Sequence, residues 1–192
     1  MKLYICLLLF LIPHLNYGFK KDIWPYSFII SKADLIVDGK ISKISKGNYE
    51  FTVNEFVKGK SNSKINVAIW EEWLCDPRIK ELKVGQRLIL FLEKKSVNNF
   101  STINASTGEL YVDNNAFIDI FAPKELSNPT VFKNGISMFL KTYTFYGNLS
   151  DRFLRNSYFQ VNKSIFEIYK MKEENKFFKF LVDNELRYYE VK

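Results

Sequence analysis

The sequence predicts an α+β chain, a small five-stranded antiparallel β-barrel followed by a mainly helical C-terminal extension. Three observations carry that prediction. Between Ala33 and Leu92, four β-rich runs, most alternating apolar and polar residues, are each closed by a turn. After Asn128 the apolar spacing changes to that of a helix. An aromatic content of 17%, with only 8 glycines in 192 residues, describes a chain able to build a packed core.

Residues 1–18 stand apart. Lys2, the apolar run Leu3 to Ile12, the breaker Pro13 and the small Gly18 read as a secretory signal cut after Gly18. The apolar run is too short to cross a bilayer, so no transmembrane segment is expected once the signal is removed. The product is expected to be secreted or periplasmic. The leader would take with it His14, the only histidine, and Cys6, one of two cysteines. A mature chain with no imidazole and the single thiol Cys75 has no Ser-His-Asp or Cys-His nucleophile and no zinc site with histidine ligands. Nor can it form an intramolecular disulfide. No catalytic residue, metal ligand or cofactor is therefore assigned. Cys75 is expected to be buried, as a small apolar side chain would be.

The chain is basic, with a formal net charge of +7, but lysines far outnumber the five arginines. Specific phosphate and base contacts favour the arginine fork, so a solvated lysine surface is the better reading and no nucleic-acid partner is expected.

The mature chain divides into residues 19–124, the barrel with an N-terminal arm, and residues 125–192, the helical extension. Phe19 to Ile30, with Trp24-Pro25, is expected to lie on the barrel as an extended arm. Leu35 and Val37 share one strand face. Gly39 then interrupts a long strand, as a barrel corner requires, and Ile41 and Ile44 resume with the alternation shifted. Lys46-Gly47-Asn48 is a hairpin turn. Tyr49, Phe51 and Val53 alternate after it, and Ile65, Val67 and Ile69 form a third strand. The stretch from Trp70 to Gly85 is too long for a hairpin turn. The continuous apolar run Leu88 to Leu92 is expected to be buried on both faces, and Phe100 to Ser106 is a weaker fifth strand.

In the extension, Asn128 is an N-cap and Pro129 fits the first helical position. Phe132, Ile136, Phe139 and Tyr143 follow at helical spacing, and Gly147 supplies the stop. Residues 163–182 could be a β-meander, but their Glu, Lys and Met content favours helix.

A long bent strand, a hairpin, a third strand, a non-strand insertion and two more strands make the order of an OB-type barrel. ADLIVDGKISKI, a strand ending EFVKGK, a cysteine in the next loop and VGQRLILFL together resemble the OB-fold domains related to tissue inhibitors of metalloproteinases and netrin modules. That pattern, found in many exported bacterial proteins, covers residues 33–106 here. The resemblance implies a barrel fold. Inhibitors of that group chelate the protease zinc through an N-terminal cysteine. Here the expected mature N-terminus is Phe19-Lys20-Lys21 and the cysteine is internal, so chelating inhibition is not implied.

The richest candidate site is the loop holding Trp70, Glu72, Trp73, Asp76 and Arg78. Aromatic platforms beside carboxylates suit a protein or glycan of the envelope or the surroundings. The structural alternative, favoured on burial grounds, has Trp70 continuing its strand while Trp73 and Leu74 plug the barrel's open end. Adjacent Glu71 and Glu72 would point to opposite faces of extended backbone and cannot flank one bond as a glycosidase pair. The expectation is a non-catalytic binding module. A protease inhibitor of non-chelating type and a carboxylate-based hydrolase are the alternatives.

Overall fold

The computed structural model describes residues 21–114, 116–118, 126–150 and 156–192. The expected leader lies outside these residues. Five strands close into a barrel: β1 (Leu35–Ser45), β2 (Asn48–Lys58), β3 (Lys64–Ala68), β4 (Arg87–Ser96) and β5 (Asn99–Thr102). Their order is β1-β2-β3-β5-β4, and β4 pairs back onto β1 to complete the ring. One expectation needs correction. The barrel is mixed, because β3 and β5 run parallel while the other four pairings are antiparallel. The reason is parity: up-down alternation cannot return to its starting direction around an odd number of strands, so one pairing must be parallel.

The β1–β2 ladder shifts register between Asp38 and Gly39, where the alternation of the sequence also shifts. A Cβ on Gly39 would lie 2.2 Å from the Thr52 carbonyl oxygen, so the bend requires a residue without a side chain. Strand β5 is shorter than expected. Asn104 and Ala105 adopt left-handed φ of 53° and 51°, which turns the chain out of the sheet into a 3₁₀ turn at Ala105–Gly108. β6 (Glu109–Asp113) then joins β4, and β7 (Ala116–Ile118) pairs with β6.

Two apolar clusters explain why β4 is apolar without interruption. Leu88, Leu90 and Leu92 face the barrel interior with Val37, Phe51 and Val67, among others. Ile89 and Phe91 face the opposite way, into a second core shared with the helices. Each fully buried side chain of this kind stabilises by about 1.5–3 kcal/mol.

The second core is covered by α1 (Tyr26–Lys32), α2 (Pro129–Thr142), α3 (Ile165–Glu174) and α4 (Lys176–Phe180). Segment α1 replaces the extended arm that the sequence suggests. It has no side-chain N-cap, but Tyr26, Ile29 and Ile30 are buried along it, and tertiary burial outweighs the weak local signal. Helix α2 begins as expected, with Asn128 Oδ1 accepting from the Thr130 and Val131 backbone N–H groups at 2.9 and 3.1 Å. It ends at Thr142, five residues before Gly147, because Tyr143–Tyr146 form strand β8. β8 pairs antiparallel with β9 (Tyr158–Val161), and β10 (Glu190–Val191) adds to β9 in parallel. The extension is thus helical with a small sheet of its own. Residues 165–174 and 176–180 are helix, as their composition favours. Ser164 and Glu167 form a capping box on α3.

Helices and barrel are also joined by charge. Asp38, buried on the outer face of β1, receives both Nε and Nη2 of Arg87 at 2.9 and 2.7 Å, and Lys133 of α2 at 2.7 Å. Lys133 also bonds Glu55. Burial pushes the Asp38 carboxyl up, but the bonds from Arg87 and Lys133 outweigh it and hold it below the usual aspartate range.

Candidate functional site

The loop of residues 69–86 between β3 and β4 carries all five side chains singled out in the sequence. The structure divides them between two places.

Trp70, Glu72 and Arg78 gather at the barrel mouth. Arg78 threads inward until its side chain is only 8% exposed. Its Nε donates to Glu109 Oε1 at 2.8 Å, and its Nη1 to Glu72 Oε1 at 2.9 Å. The Arg78 backbone N–H donates to the other Glu72 oxygen at 2.9 Å. The guanidinium carbon lies 4.2 Å from the centroid of the Trp70 ring. Below, the buried Tyr49 hydroxyl donates to Glu109 Oε2 at 3.0 Å. Burial, then the Glu109 charge, pushes the Tyr49 hydroxyl well above the ordinary tyrosine range, so it remains a donor. Both oxygens of Glu109 are thereby engaged. This network is a filled mouth held by charge-assisted hydrogen bonds. Glu109 and Tyr49 carry no motif, and only their positions in the folded ring reveal them.

Trp73 and Asp76 go elsewhere, and the expected plug of Trp73 and Leu74 is not formed. An isolated bridge pairs Trp73 with Asp76, with Asp76 N–H donating to the Trp73 carbonyl at 2.9 Å. That tight turn puts Leu74 and Cys75 at its tip. Leu74 is 98% exposed and Trp73 42%. Cys75 is exposed too, against the expected burial, for the same reason. Asp76 points back and is buried against Lys21, whose Nζ lies 2.9 Å from Asp76 Oδ2 and donates to Ser106 Oγ at 2.6 Å.

This turn forms one side of a groove of about 780 Å³. The opposite side is the segment leading into α1, with Ile23, Trp24 and Pro25. Asn104, Ala105 and Leu149 also line it. Trp24 is braced edge-on against Phe28, ring centroids 5.2 Å apart. The Asn104 side-chain amide donates to the Asp22 carbonyl at 3.0 Å, tying the left-handed turn to the lead-in. The size is that of a ligand site. Trp24-Pro25 was the one sequence signal for this side of the groove. Lys21 and Asn104 gave none, since their pairing depends on contacts across 55 and 82 residues.

Among the described residues no group of three or more His, Cys, Asp or Glu side chains is placed to hold a metal ion. No helix among them is long and apolar enough to cross a membrane. No protein-family model and no curated protein matches the chain.

Proposed function

We propose that the protein is an exported, non-catalytic binding module of OB type, and that its ligand, a protein or a glycan, lodges in the groove between the lead-in to α1 and the turn at Trp73. One observation carries this reading: two indole rings from distant parts of the chain line a single groove of ligand size, one of them 42% exposed. The leader-like first eighteen residues support export. The ring order of the strands and the pattern over residues 33–106 support kinship with the netrin-type and inhibitor-type OB domains.

The non-catalytic reading is supported by how the acids are engaged. Glu72 and Glu109 both bind Arg78, and Asp76 binds Lys21. A hydrolytic pair needs two carboxylates facing an open cleft across about 5–10 Å.

The test is capture of partners from culture medium or cell envelope by the purified protein and by Trp73→Ala. Trp73 is a surface residue, so the variant keeps its circular dichroism. Recovery falls by about tenfold or more if the groove is the binding surface. Equal recovery would remove the groove from the reading.

A further inference from the structure

Resting on the groove reading above, we infer that Glu185 is the positioning residue of that groove: from the C-terminal extension, its carboxylate grips the start of α1 and so sets the wall that carries Trp24.

The first N–H groups of a helix lack partners within it. In α1 no neighbouring side chain supplies them, because the residue at the cap position is Pro25. The partner comes from the far end of the chain. Glu185 Oε1 accepts from the Tyr26 N–H at 3.0 Å and Oε2 from the Ser27 N–H at 2.6 Å, across 159 and 158 residues. Two oxygens on two successive N–H groups fix the direction of the first turn, as a single bond would not. The helix dipole also favours a negative group there.

Whatever orients that turn orients the groove wall. The Phe28 and Ile29 N–H groups donate back to the Pro25 carbonyl at 3.1 and 3.0 Å, and the Trp24 ring rests edge-on against Phe28. Trp24, Pro25 and Phe28, which line the groove, therefore move as one unit with the turn that Glu185 holds. Glu185 itself ends a π-helical turn, Leu181–Glu185, that continues α4, and turns of that kind are frequent at functional sites. Just beyond it, Tyr189 lines the same groove, its ring braced on Phe159 with centroids 5.4 Å apart. One short segment of the extension thus grips a wall of the groove and supplies part of the lining.

Stability is not what the charge serves. Burial pushes the Glu185 carboxyl up, and the two N–H groups pull it back only in part. What the carboxylate supplies is geometry: two acceptors for two donors, where the amide of a glutamine presents one acceptor and one donor.

The test is Glu185→Gln in the mature chain, read in three ways. By NMR, the Tyr26 and Ser27 amides should exchange with solvent about tenfold or more faster, the scale of one lost hydrogen bond to a charged group, while those of Ile89 and Phe91 in β4 keep their rates. With Trp70 and Trp73 replaced by phenylalanine, Trp24 is the sole tryptophan of the chain, and its quenching by acrylamide should rise. With all three tryptophans present, capture of partners from culture medium or cell envelope should fall about tenfold or more, as for Trp73→Ala. Glu185→Asp, whose oxygens are drawn back by one methylene, should loosen the same two amides. Unchanged Tyr26 and Ser27 amides would overturn the inference. So would exchange that quickens equally through β4, which is what the loss of a merely stabilising group gives. A loosened wall with undiminished capture, while Trp73→Ala still abolishes it, would overturn the positioning role and leave the groove standing. If capture ignores both variants, the groove reading fails as well.

Discussion

Asp38 shows how much one side chain can hold together. Two cations from different elements converge on it, Arg87 of β4 and Lys133 of α2, and its own exposure is 2%. Because its carboxyl titrates below the ordinary 3.8, its contribution is complete above that value and is lost as pH falls through the lower folded value. Lys133 is raised: burial works against its charge, but bonds to Asp38 and Glu55 prevail. Its contribution is complete below 10.5 and is lost only as pH rises through its higher folded value. The clamp therefore spans the whole neutral range. Asp38→Asn should cost about 3 kcal/mol at pH 7, the low end for a broken buried pair because Arg87 is partly solvated. Urea unfolding at pH 7 and in strong acid checks this, and the gap between variant and wild type should shrink in acid. Glu185 has the opposite sign. Burial lifts its carboxyl despite bonds from the Tyr26 and Ser27 N–H groups at 3.0 and 2.6 Å. Its ionised form therefore costs stability above the folded value, and acidification relieves that cost.

At the scale of elements, the packing of α2 on α4 depends on Gly135. A Cβ there would meet Asn175 Oδ1 at 2.7 Å and Phe177 Cδ1 at 2.9 Å. Asn175 is held in place, since its Oδ1 caps α4 at Phe178 and its Nδ2 donates to the Val131 carbonyl of α2 at 2.9 Å. Alanine would gain roughly 0.5–1 kcal/mol of helix propensity but would overpack a fixed neighbour at about 1–3 kcal/mol. Gly135→Ala should therefore lower the urea midpoint, and a raised midpoint would show that the helices can separate freely. The same elements show what the sequence makes legible. Asn128-Pro129, the apolar run of β4 and the interruption at Gly39 are local signals, and each names its structure correctly. Helix α1 was hidden because a seven-residue helix without a capping side chain owes its form to what it is buried against. The end of α2 was hidden because Tyr143 suits helix and strand alike, and only pairing with Val161 decides between them.

Over the whole molecule, the barrel and its helical cover share one apolar layer. Ile36, Ile89 and Phe91 of the barrel pack in the same cluster as Phe132, Phe177 and Leu181. A fragment ending at residue 124 would expose that layer. It should bind hydrophobic dye and lose cooperative thermal unfolding, and a sharp transition in the fragment would contradict the shared layer. The candidate site was legible as a stretch but not as a place. Five residues within nine positions look like one cluster in sequence, yet a tight turn at Trp73–Asp76 sends Arg78 inward to Glu109 and Trp73 outward to the groove. Their partners Tyr49, Glu109 and Lys21 lie dozens of residues away, and no local pattern connects them.

Beneath the groove, Asn104 and Ala105 both hold a left-handed backbone. For Ala105, an L-residue with no polar side chain to help, that posture costs about 1–2 kcal/mol. The opposing force comes from outside the turn, including the Asn104 amide fastened to the Asp22 carbonyl. Floor and lead-in are therefore mechanically coupled, like a bent spring hooked to the panel beside it. Asn104→Ala would cut the amide's hold on the Asp22 carbonyl and so loosen the lead-in and the turn together.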